Sequence, residues 1–225
     1  MKLFSTAVKA FTVAAAAIVI SGCASTSANV VSSGNSGTIS DYQRAPIDGP
    51  RRRIAVTDFA FHASRNPGTV GSGMSDMLVD SLVNTNQFIV LERDRLDEVM
   101  AEQDNANSGR FRQDTVAATG QLEGAQLLIK GSIIEFEPAC SGGSLILVSA
   151  KKACVAINLR IIDATTGRIV NSTTVEGTST NKGVGLIYTK SSLPIGLGAW
   201  SNTPMERAIR NAIETAVQHI ANTKI

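Results

Sequence analysis

Val155-Ala156-Ile157-Asn158-Leu159-Arg160-Ile161-Ile162-Asp163, the link Thr165-Thr166-Gly167, and the run from Arg168 to Thr178 together decide the fold. Both flanking runs are dense in Val, Ile and Thr, which suit a pleated, half-buried surface, so each predicts a strand. The short link with its glycine joins them as an antiparallel hairpin. A third strand is predicted just upstream, from Gln126 to Phe136. Downstream, Thr203-Pro204-Met205-Glu206 combines a capping box with proline at the first helical position. Ile209, Ala212, Ile213, Ala216, Val217 and Ile220 then recur as one apolar stripe, which predicts an amphipathic C-terminal helix.

Towards the N-terminus the same alternation of element types continues. Arg53-Ile54-Ala55-Val56-Thr57-Asp58-Phe59 reads as a strand and Asn66-Pro67-Gly68 as a turn. From Ser72 the spacing of Met74, Met77-Leu78 and Leu82 predicts a helix, followed by a short strand over Gln87 to Leu91. A second helix is expected from Arg93 to Gln103, with Leu96, Val99 and Met100 on its buried face. Asn105 to Gly109 reads as a loop, and Asp114 as the N-cap of a short helix that stops near Gly124. Interleaved strands and helices predict an α/β (α+β) domain over residues 51–225, with one sheet and helices packed on it.

The first 22 residues read as an export signal. Lys2 and Lys9 are followed by an apolar run from Ala10 to Ile20, shorter than the roughly 20 residues that span a bilayer. Ile20-Ser21-Gly22-Cys23 resembles the lipobox of bacterial lipoproteins, in which the cysteine is diacylated before cleavage. Two acyl chains make a stable anchor. Ala24 in place of aspartate points to the outer membrane, with the domain facing the periplasm. Residues 24–50, rich in Ser, Thr, Asn and Gly, read as a flexible tether of about 30 Å root-mean-square reach.

The mature chain of 203 residues suits one ordinary domain. A formal net charge of +2 argues against a nucleic-acid partner, and Arg51-Arg52-Arg53 is the one basic run. That run reads as a solvated domain boundary, with contact to anionic lipid as the alternative. Besides Cys23 the chain holds Cys140 and Cys154, which in an oxidising periplasm are read as a disulfide. No metal site is expected, because His62 and His219 are far apart and no ligand spacing occurs. No cofactor is expected beyond the lipid on Cys23.

Catalytic constellations are absent from the sequence. Gly71-Ser72-Gly73 lacks the third glycine and the lysine of a phosphate loop, and no GxSxG elbow occurs. Glu92, Asp94, Asp97, Glu98 and Glu102, interleaved with Arg93 and Arg95, read as a solvated face with local ion pairs. The expectation is a non-enzyme.

An ordered set of segments carries a resemblance. Met74-Ser75-Asp76-Met77-Leu78-Val79-Asp80-Ser81-Leu82 leads into Phe88-Ile89-Val90-Leu91-Glu92-Arg93 and Leu96 to Gln103. Gly124-Ala125-Gln126, Gly131-Ser132-Ile133-Ile134, Val155 to Asp163, Thr166-Gly167-Arg168-Ile169 and Ala212-Ile213-Glu214-Thr215-Ala216 follow. In order and spacing, over residues 53–222, they resemble the CsgG/HfaB family of curli production assembly/transport lipoproteins. The resemblance implies a ring of identical subunits at the outer membrane. Each subunit of the curli transporter adds two β-hairpins to a shared barrel that passes unfolded fibre subunits. Some relatives instead hold a fibre or holdfast to the cell, and the similar penicillin-binding-protein activator lipoproteins make no pore. The implied partners are further copies of the chain, outer-membrane lipid, and secreted fibre subunits or other envelope proteins.

Two departures bear on that implication. The segment from Phe61 to Gly73 is shorter than the curli transporter's constriction loop and lacks its aromatic residues. A membrane strand needs about 9–11 residues, so a spanning hairpin needs about 20 with its turn. The first candidate hairpin, residues 138–155, contains Gly142-Gly143 and a non-alternating Leu145-Ile146-Leu147-Val148. The second, residues 178–202, has a return limb in which Leu193, Ile195, Leu197 and Ala199 point one way, with Trp200 at its end. That row fits a lipid face with an interfacial tryptophan; the alternative is an apolar arm packed on a neighbouring subunit.

Cys23→Ala should leave the protein unprocessed at the inner membrane. Mass spectrometry checks this, and an unmodified mature N-terminus at another residue in the wild type would refute it.

Overall fold

The computed structural model describes residues 26–30, 49–63, 68–141, 144–145, 148–149, 151–181, 197–201 and 203–223. The central strands are β2 (Arg52–Phe61), β4 (Leu127–Ser141), β7 (Lys151–Asp163) and β8 (Ile169–Asn181). β1 (Thr26–Val30) and β3 (Phe88–Leu91) form the edges, giving a six-stranded sheet in the order β1-β8-β7-β4-β2-β3. β5 (Ser144–Leu145) and β6 (Val148–Ser149) pair separately. β4, β2 and β3 run parallel, while β4, β7, β8 and β1 are antiparallel neighbours. The sheet is therefore mixed. Its helices are α1 (Val70–Thr85), α2 (Leu96–Ala106) and α3 (Pro204–Asn222).

The parallel half follows from a βαβ unit: β2 leads through α1 to β3 at its side. The antiparallel half follows from the turn at Asp163. Its Oδ1 accepts the N–H groups of Thr165 and Thr166 at 2.9 and 2.8 Å, and Gly167 adopts a φ of 70° that a side chain would strain. These donations hold the exposed Asp163 carboxyl below its ordinary pKa, with the Thr166 N–H foremost.

α1 and α3 lie side by side over one face, α1 above β2 and β3, α3 above β8, β7 and β1. Ile54, Ile129, Ile133, Ile157, Leu159 and Ile161 meet Met74, Leu78, Leu82, Ile209, Ile213 and Ile220 in one core. Each such side chain, fully buried, contributes about 1.5–3 kcal/mol of transfer free energy. Helix and sheet touch backbone to backbone in two places. A Cβ on Gly177 of β8 would lie 2.1 Å from the Ala208 carbonyl oxygen, and one on Gly71 would lie 2.3 Å from that of Phe59. Gly71 thus serves packing at the start of α1, which accounts for it without a phosphate loop. α3 starts as its sequence predicts, with the Glu206 N–H donating to Thr203 Oγ at 3.3 Å and Pro204 at the first position.

Four expectations are corrected. α2 forms, but Val99 is 38% and Met100 46% exposed and only Ala106 is buried, because α1 already covers the sheet's short β3 edge. No helix forms over residues 114–124: Arg112 takes the Asp114 carboxylate in an ion pair, Thr115 Oγ donates to the Arg112 carbonyl at 3.0 Å, and Gly120 turns to a φ of 78°. Within the expected tether, Thr26–Val30 is a strand, drawn onto the free edge of β8 that no local pattern reveals. Finally, Leu197 to Trp200 do not alternate along a strand. Gly198–Trp200 is a 3₁₀ turn, and Leu197 is fully buried in the core.

Arg51 and Arg53 are likewise more than a solvated boundary. Arg51 Nη1 donates to Asn86 Oδ1 at 2.7 Å, and Arg53 Nε to the Gly124 carbonyl at 2.9 Å, stitching the start of β2 to neighbouring loops.

Gly177→Ala should destabilise the domain by about 1–3 kcal/mol, since the added methyl has only backbone and Ala212 to displace. Urea unfolding of the purified chain measures it, and an unchanged midpoint would contradict the close approach of α3.

Candidate functional site

The central strands do not end together. β2 last pairs with β4 at Phe61↔Ile133, whereas β4 and β7 stay paired out to Ser141↔Lys152. β7 and β8 continue to Lys151↔Asn181, and β1 joins at Thr26↔Ser179. One end of the sheet therefore projects beyond the rest. Both connections that the sequence singles out as hairpins leave from it, one after Ser141 and one after Asn181.

This end is built by four sets of contacts. Cys140 and Cys154 are joined by a disulfide with a Cα–Cα distance of 5.8 Å, which ties β4 to β7 just below their connection. Phe61, Phe136 and Trp200 stack edge to face, with ring centroids 5.9 and 5.2 Å apart. Leu197 and Trp200 thereby bring the chain returning from residues 182–196 down onto the core. At the start of α3, Arg207 Nε donates to the buried Ser179 Oγ at 3.1 Å and Asn211 Nδ2 to the Thr178 carbonyl at 3.1 Å.

Of the residues singled out from the sequence, the structure brings together Cys140, Cys154, Leu197 and Trp200 at this end, with Ala199 exposed beside them. Cys23, Leu193 and Ile195 lie outside the described residues. Phe61, Phe136, Ser179 and Arg207 were not legible as a unit, since each reads alone as an ordinary strand or helix residue. Among the described residues, Glu135, Cys140 and Cys154 bring three ligand-type atoms within 4.8 Å. Two of these are the bonded sulfurs, which offer no thiolate to a metal.

A second feature lies beside β3. Val56, Val79, Val83, Val90 and Leu91 floor a recess of about 240 Å³ rimmed by Asp58, Asp76, Glu92 and Asp94. Burial, and next the neighbouring Asp94, push the Asp76 carboxyl above its ordinary pKa. Burial would also raise Glu92, but the N–H groups of Arg95, Asp94 and Arg93 all donate to its Oε1, at 3.1, 2.7 and 2.8 Å, and hold it low. Glu92 thus fixes the turn into α2, a local role that the surface ion-pair reading missed.

A mixed sheet with helices on one face and two strand connections at one end defines the class: a small α/β scaffold domain. The chain belongs to the CsgG family. The family described as "Curli production assembly/transport component CsgG" matches residues 36–225. The curli production assembly/transport component CsgG of Escherichia coli K12 is 27% identical over 183 residues, 73% of this chain and 66% of that relative. The chain thus spans just under two thirds of the length of the curli components it matches. A Neisseria meningitidis serogroup B protein, named as a lipoprotein, is 27% identical over 99% of this chain and 97% of its own. Among solved structures, a hypothetical protein of Chlamydia trachomatis has a TM-score of 0.48 at 11% identity, covering 76% of this chain and 96% of that one. The family is one of transport and assembly components rather than enzymes.

Peptide mapping without reductant should recover Cys140 linked to Cys154. Cys140→Ser should then lower stability by about 3 kcal/mol at most. Both thiols free in the mature protein would remove this tie from the projecting end.

Proposed function

We propose that the chain is an outer-membrane lipoprotein that assembles with copies of itself into a ring or channel, supporting export or anchoring of an extracellular fibre or polymer. The observation that carries this reading is the shared departure point of the two connections. Identical subunits arranged side by side would present both at the same level, where they can join into a common collar around an axis. Such a collar needs no cofactor. Each subunit contributes segments from a rigid, disulfide-tied base, and the α/β domains beneath set their spacing.

A second reading is favoured by a specific observation. Between Asn181 and Leu197 lie residues 182–196, and Leu197 is already in the core. Those fifteen residues fall short of the roughly 20 that a spanning hairpin with its turn requires. A chain that ends its arm there fits a non-channel module that scaffolds or regulates an envelope complex, with the arm packed on a neighbour. The two readings share the lipid anchor, and only the first requires a ring of copies. They differ in whether the arm enters the bilayer.

Electron microscopy of the detergent-extracted full-length protein should show closed rings, and planar-bilayer recording separates the two readings. Current that is lost on Ile195→Lys supports the channel. Rings without current support the scaffold. Monomers throughout would defeat the ring and leave the module. Leu197→Lys should destabilise the domain itself, because a buried charge without a partner costs several kcal/mol.

A further inference from the structure

We propose that β1 is a clamp that holds the projecting end of the sheet against the headgroups of the membrane carrying the lipid anchor. The proposal rests on lipidation of Cys23. Thr26 is paired with Ser179 and Val30 with Val175, so β1 enters the sheet at the projecting end and runs inwards. Only three peptide steps separate Cys23 from Thr26, a covalent reach of about 11 Å at most. A free tether of the length of residues 24–50 would instead reach about 30 Å.

The strand is held from two sides. It forms an antiparallel ladder with β8 over five residue pairs and packs against α3 as well. It also covers what would otherwise be an open edge of β8. The consequence is orientation. An anchor at Cys23 holds Thr26, and with it the projecting end that carries the Cys140–Cys154 disulfide, within about 11 Å of the bilayer surface. β2 begins at the other end of the sheet, where Ile54 pairs with Leu127. The partner surface is therefore the phospholipid headgroup layer, met by one end of the sheet in every copy of the chain.

Trp200, the one tryptophan of the chain, reports on this geometry because it packs on Phe136 at the projecting end. The test uses full-length lipidated protein in phosphatidylethanolamine/phosphatidylglycerol vesicles bearing a dansyl headgroup. Energy transfer from Trp200 should be strong in the wild type. A Gly/Ser insertion of about 12 residues between Cys23 and Thr26 adds roughly 19 Å of reach and should cut transfer at least about threefold, with every strand intact. Ala28→Pro, which breaks the β1–β8 ladder, should lower it likewise. Mass spectrometry of the same samples separates the failures. Protein without lipid overturns the clamp together with the lipidation of Cys23. Lipidated protein whose transfer is unchanged by the insertion overturns the clamp alone.

Discussion

The contact on which the rest depends is the seating of α3 on β8. Gly177 lets the helix backbone at Ala208 and Ala212 approach the strand closer than any side chain would permit. Once there, the Ile209, Ile213 and Ile220 stripe meets the inner faces of β8 and β7 and the flank of α1, and the core closes over Ile157, Leu159 and Ile133. The same approach brings Arg207 and Asn211 within hydrogen-bonding distance of Ser179 and Thr178. A close-packed interior transmits this constraint, because it has no slack in which a helix can shift. The end of β8 is thereby fixed, and with it the point from which residues 182–196 depart and the edge on which β1 lies.

The projecting end carries its own stabilising contacts. Strands that outrun their neighbours lose the cover of the sheet, and each device found there compensates. The disulfide ties β4 to β7 across a small closed loop, the aromatic trio replaces the missing β2, and the start of α3 holds β8. Burying Leu197 and Trp200 shortens the arm that the sequence pattern suggests. The alternating row that the sequence suggests is thus broken at Leu197, which lies in the core, and at Gly198–Trp200, which form a 3₁₀ turn.

What was legible in the sequence was local. The β7–β8 hairpin is announced by its β-branched runs and an Asp-to-Gly turn, α3 by its cap and stripe, and α1 by methionine and leucine spacing. Each is decided by interactions within a few residues. What was not legible depended on distant partners. Leu96, Val99 and Met100 have helical spacing, but whether that face is buried depends on how much sheet lies opposite, and β3 has four residues. Asp114 was available as a cap until Arg112 paired with it. Thr26–Val30 is too short and too polar to read as a strand without the edge of β8 beside it. The shared departure point of the two connections emerges only from strand register.

This division also bears on how function is distributed among relatives. Twenty-seven per cent identity to the curli component is spread over a domain whose core is fixed by apolar spacing and a few close approaches. Such constraints specify residue size and period rather than identity, so the scaffold tolerates wide sequence change while keeping its shape. Leu197 is one such fixed position, fully buried in the core that Trp200 packs against, so its size and apolar character are set by the fold.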